Sequence, residues 1–146
     1  MVRLPIPAHW CLRGDDQLVE IAVAGALLAF DDCEDSPGRG EGMQHDRACG
    51  VEDDHLPIDA HLDRFLATIE ETQDSVVVVD RTAGKIVFES TSALLGGPVV
   101  QVAYLYRDEL GCVWRAVYTF RKSRAADWLA LLGQKAWPKL AEKRGT

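Results

Sequence analysis

The chain has 146 residues, 47% of them hydrophobic and 27% charged, which is enough for one domain with a real core and too little for two. Charge at that level with ordinary aromatic content argues against global disorder, and a net charge of −7 against a chain-wide nucleic-acid surface. No apolar stretch is long enough to span a bilayer, and the Met1-Val-Arg-Leu-Pro-Ile-Pro start does not read as a secretory signal. The expectation is a cytoplasmic protein with no membrane association, whose cysteines (Cys11, Cys33, Cys49 and Cys112) are thiols.

In chain order, Pro5, Pro7 and Gly14 make residues 1–14 an extended arm anchored by Trp10. Asp15 or Asp16 then caps a helix through Leu18, Val19, Ile21, Val23, Leu27, Leu28 and Phe30, apolar around most of its circumference and so buried. That helix ends in the acidic run Asp31, Asp32, Cys33, Glu34, Asp35. From there to about residue 56 neither a period of 2 nor one of 3.6 is apparent. The segment reads as a flexible, acidic, glycine-rich loop.

A second helix starts near Pro57, with Ile58, Leu62, Phe65, Leu66 and Ile69 as its apolar stripe. The β-branched run Val76–Val79 turns over Asp80–Gly84 and returns through Lys85–Glu89. A longer hairpin pairs Val99–Arg107 with Cys112–Arg121, its loop closed by a left-handed Gly111. With Arg107 opposite Cys112, one face would carry Val99, Ala103, Leu105, Trp114, Ala116, Tyr118 and Phe120. The second helix would pack there, and the other face would carry Val100, Val102, Tyr104, Tyr106, Val113, Arg115, Val117 and Thr119. Ser123 caps a last helix that buries Trp128, Leu129, Leu131 and Leu132, ahead of a basic tail. The sum is one α+β domain over residues 1–146, an antiparallel sheet of about four strands in two hairpins packed with three helices.

Charge is unevenly distributed. Residues 1–74 hold 5 Arg against 17 Asp and Glu, a balance of −12, while residues 75–146 have a balance of +5. A cluster of Asp31, Asp32, Glu34, Asp35, Glu52, Asp53 and Asp54 would steer a basic protein partner. The favoured expectation is therefore a small protein-binding module of the inhibitor or immunity type. A secretion-chaperone-like adaptor is an alternative of the same class. A nucleic-acid binder would instead use Arg121, Lys122, Arg124, Lys139, Lys143 and Arg144, with tyrosines nearby to stack bases.

Catalytic equipment is hard to find. Cys33, His45, Cys49 and His55 have the right chemistry for zinc but lack the paired-knuckle spacing, so a metal site ranks behind a simple connector. His9 and Cys11 could share one face of an extended arm, which is suggestive and nonspecific. No phosphate loop, dinucleotide fingerprint or zinc-protease motif is present. No cofactor is expected, and oligomeric state is open.

Overall fold

The computed structural model describes residues 2–3, 20–21, 27–31, 34–48, 50–134 and 139–140. In chain order the strands and helices are β1 (Val2–Arg3), β2 (Glu20–Ile21), β3 (Leu27–Phe30), β4 (Gly42–Arg47), α1 (Ile58–Thr72), β5 (Val77–Thr82), β6 (Lys85–Ser92), β7 (Gly97–Arg107), β8 (Val113–Arg121), α2 (Ala125–Gln134) and β9 (Lys139–Leu140). Six strands form an antiparallel sheet in the order β3-β4-β8-β7-β6-β5, and two-residue strands make a separate small sheet β2-β1-β9. The α+β class holds, with more strands and fewer helices among the described residues than the pattern suggests.

Two segments differ from expectation. Leu27–Phe30, expected as the end of a helix, is an edge strand paired with β4. A short run that is apolar on all sides fits a buried strand as well as a buried helix, and here ladder pairing wins over propensity. Gly42–Arg47, expected inside the acidic loop, is an interior strand between β3 and β8. Its alternation is real: Met43 and His45 are buried, Gln44 is exposed, and Asp46 is half-buried. Histidine disguises it, because His45 serves as an aromatic, stacked on Trp114 with ring centroids 5.1 Å apart and its Nε2 bonded to the Tyr106 hydroxyl. Of the expected arm only Val2–Arg3 is described, as β1; its Trp10 anchor, the Asp15/Asp16 cap and the His9–Cys11 pair lie outside the described residues.

The β7–β8 register is one residue off the simplest hairpin. Arg107 pairs with Val113, so Tyr106 faces Trp114, Tyr104 faces Ala116 and Val102 faces Tyr118. Asp108 is the cause. Its Oδ1 accepts the N–H groups of Leu110 and Cys112, and its own N–H donates to the Cys112 carbonyl. Asp108 and Cys112 therefore belong to the loop, while Gly111 takes the left-handed conformation (φ +84°) as expected. Because side chains alternate, one residue of slip exchanges the faces.

As a result, α1 does not pack on Trp114, Tyr118 and Phe120. Leu62, Phe65 and Ile69 of α1 cover Ile86, Phe88, Ala103 and Leu105. The opposite face joins Tyr104, Tyr106, Trp114, Tyr118 and Phe120 to Trp128 and Leu132 of α2, with Phe120 stacked on Trp128 at 5.0 Å. Leu129 is exposed, contrary to expectation, and a 3-10 turn (Lys122–Arg124) replaces a Ser123 cap at the entry to α2. The β5–β6 turn needs its glycine: Gly84 has φ +72°, and a Cβ there would meet the Leu105 carbonyl at 2.9 Å. Beyond it, β5 is the outer edge of the sheet, with Val77 and Val79 more than half exposed.

Burial has a consequence at high pH. It pushes the Tyr104 hydroxyl up to about 12, raises Tyr106 further and holds Tyr118 well above its ordinary value, Asp108 adding to Tyr106 and the other two tyrosines to Tyr118. The folded chain keeps protons that the unfolded chain releases from about pH 10 upward. Stability from this source is therefore complete below about pH 10 and falls as pH climbs beyond it. In an alkaline titration, phenolate absorbance should appear together with loss of far-ultraviolet dichroism. Ionisation of the tyrosines near pH 10 with native dichroism retained would contradict this burial.

Candidate functional site

Helix α1 covers the β6–β7 half of its sheet face and leaves the β8–β4 half open beside it. The result is a cleft of about 900 Å³ between α1, the inner strands and the Ser92–Leu95 turn. The floor comes mainly from alternate residues of β8 (Arg115, Val117, Thr119 and Arg121), with Gln101 of β7 and Gly42–Gln44 of β4 beside them. The Gln101 side-chain amide donates to Thr119 Oγ1 at 2.9 Å, and the Ser90 hydroxyl, behind it, lies 2.8 Å from Gln73 Oε1 and 3.2 Å from Gln101 Oε1. Phe65, Ile69, Val117 and Leu95 supply apolar wall. Leu94, on the turn at the cleft's margin, is almost wholly exposed.

Three arginines line the cleft, and they are held differently. Arg115 on β8 is fixed: its Nε and Nη2 donate to the two Asp46 oxygens at 3.0 Å each, and its guanidinium lies 5.3 Å from the Phe65 ring centroid. Arg121, at the end of β8, approaches Glu41 Oε2 only to 4.0 Å. Arg39 is exposed on the turn before β4.

Glu41 was not picked out in the sequence, yet it organises this end of the molecule. It is fully buried. Its carboxylate accepts the Arg121 backbone N–H at 2.9 Å, Arg124 Nε at 2.9 and 3.1 Å, and the Trp128 indole N–H at 3.0 Å. One carboxylate thus ties β4, the end of β8 and the start of α2 together. Partners 80 or more positions away in the chain leave no local signal for it.

The residues expected to bind a partner do not form one free acidic patch. Asp31 is buried, accepting the Ser36 hydroxyl through its side chain and the Gly40 N–H through its carbonyl, so it belongs to the interior. Asp54 holds Arg47 through both oxygens and also accepts the Val113 N–H, and Asp53 pairs with Arg64 at 3.0 Å. Glu34, Asp35 and Glu52 are exposed, and Asp32 lies outside the described residues. Among the expected nucleic-acid contacts, Arg124 is committed to Glu41, and Lys122 pairs with Glu89 at 3.0 Å. Lys139 lies in β9, while Lys143 and Arg144 are outside the described residues.

For the zinc alternative, Cys33 and Cys49 lie outside the described residues, and His55 is exposed. His45 has its Nε2 taken by Tyr106 inside the aromatic core. Among the described residues no three His, Cys, Asp or Glu side chains stand together as a ligand set, and no helix is long and apolar enough to cross a membrane. The chain matches no family model, no curated protein and no solved structure.

Proposed function

We propose that this chain is a small-molecule-binding module that holds a largely apolar ligand in the cleft between α1 and the sheet. The observation that carries this is the cleft itself, within the size range of ligand sites, with apolar walls and a few hydrogen-bonded polar groups on its floor. No histidine, cysteine or lysine is among the residues described as lining it. Such a lining favours holding a ligand over transforming one.

The neutral dye N-phenyl-1-naphthylamine, which brightens on leaving water, tests this directly. The wild-type chain should bind it saturably. Val117→Trp, which places an indole in the cleft wall, should weaken binding at least tenfold while leaving the melting temperature within a few degrees. Unchanged binding in Val117→Trp would place the apolar site elsewhere.

Recognition of a basic protein, which the charge balance favours, ranks second. It would rest on Glu34, Asp35 and Glu52, since Asp31, Asp53 and Asp54 already have internal partners. Reversing these three to lysine would then slow association with such a partner, the more so at low salt.

A further inference from the structure

The Glu41 end of the cleft holds more positive charge than it uses. Among the described residues Arg121 and Arg124 share one carboxylate, Glu41, while Arg39 and Asp31 line the cleft at this end. Asp31 already accepts a hydroxyl, and Glu41 Oε1 and Oε2 are filled by Arg124, the Trp128 indole and the Arg121 backbone. The Arg121 guanidinium receives only what is left, an approach of 4.0 Å, too long for a hydrogen bond. Its Nη1 is buried with no acceptor, and among the described residues none of its side-chain nitrogens makes a hydrogen bond. A buried donor without an acceptor is uncommon in a folded chain and marks a place where one is wanted.

Arg115 is the internal control. It lies on the same strand and lines the same cleft, yet two of its three guanidinium nitrogens, Nε and Nη2, bond to Asp46. Arg121 retains about 30% side-chain exposure, so rotation about its outer torsions can present the guanidinium to the cleft without disturbing the backbone contact to Glu41.

We propose that the cleft's ligand is an amphipathic anion, a carboxylate on an apolar body, with its head taken by Arg121 and assisted by Arg39. This rests on the cleft being a ligand site. A planar, two-oxygen head suits a guanidinium, which can donate two parallel hydrogen bonds to it. The apolar body then lies along Phe65, Ile69 and Val117. The ligand is taken as a free molecule, not as a lipid in a bilayer.

Octanoate and 1-octanol have chains of equal length and differ in the charge of the head, and each can be titrated against bound N-phenyl-1-naphthylamine. Octanoate should displace the dye at least ten times more strongly. Arg121→Gln should bring octanoate to the level of octanol, and Arg39→Gln should produce part of that loss. Raising salt should narrow the gap. Equal displacement by both compounds in the wild type would overturn the anion assignment and leave the cleft intact as an apolar site. A gap that survives in Arg121→Gln, with native dichroism, would overturn the choice of anchor. If the dye itself does not bind, the cleft proposal fails and this one with it. Co-sedimentation with phosphatidylglycerol vesicles, without displacement by octanoate, would overturn the free-ligand claim in favour of a lipid surface.

Discussion

Replacing Glu41 by alanine should lower the free energy of unfolding by about 3–5 kcal/mol, the loss seen when one partner of a buried ion pair is removed. The carboxylate has no solvent exposure and gathers an indole N–H, a backbone N–H and a guanidinium from the segment between Arg121 and Trp128. Alanine leaves all three facing a cavity. The Arg124 side chain is only about one-fifth exposed, so water can replace its lost partner only in part. Glu41→Gln keeps one acceptor oxygen and loses the charge, so its cost should be smaller. Urea melts measure both variants, and a loss below about 1 kcal/mol for Glu41→Ala would show that α2 is held mainly by its apolar contacts. Trp128 should report the local event by a red shift of its emission, since it loses its hydrogen bond along with the anchor of its helix.

Phe88→Ala should cost a similar amount, about 3–5 kcal/mol, the range for an aromatic side chain removed from a packed core. Phe88 is fully buried between α1 and the sheet, with Phe65 edge-on at 6.2 Å between ring centroids. Its removal should also weaken dye binding, because Phe65 is both its neighbour and part of the cleft wall. Phe120→Ala is the matched control. Phe120 is equally buried but packs against α2 on the opposite face, so it should cost comparable stability with little effect on the dye. Dye binding lost equally in both variants would mean that general loosening, not the cleft wall, is being measured.

Helix α1 was legible because its stripe is dense and its start at Pro57 unambiguous: Leu62, Phe65 and Ile69 of that stripe are buried, together with His61. The strands β6, β7 and β8 were legible for the same reason, alternation over many residues. The face assignment was not, because it turns on whether Asp108 belongs to a strand or to a loop. That depends on two hydrogen bonds made by one side chain. Strands β3 and β4 were hidden for opposite causes: Leu27–Phe30 is too uniformly apolar to show a period, and Gly42–Arg47 fills a core position with histidine. The cleft could not be seen without β4, since it exists only because the sheet is wider than the helix that covers it. Net charge was the most visible feature of the sequence and the least informative, since Asp46, Asp53 and Asp54 are engaged with arginines nearby.

A two-dimensional amide spectrum recorded while octanoate is titrated into the protein tests the central claim most directly. Saturable shifts should appear at Thr68 and Ile69 on α1, at Val117, Thr119 and Arg121 on β8, and at Leu94 and Leu95 on the turn, all of which border the cleft. Val102, Tyr104 and Trp128, on the opposite face, should stay in place. Shifts confined to the β5 edge or to the Trp128 face, or no saturable shifts at all, would contradict a ligand site between α1 and the sheet.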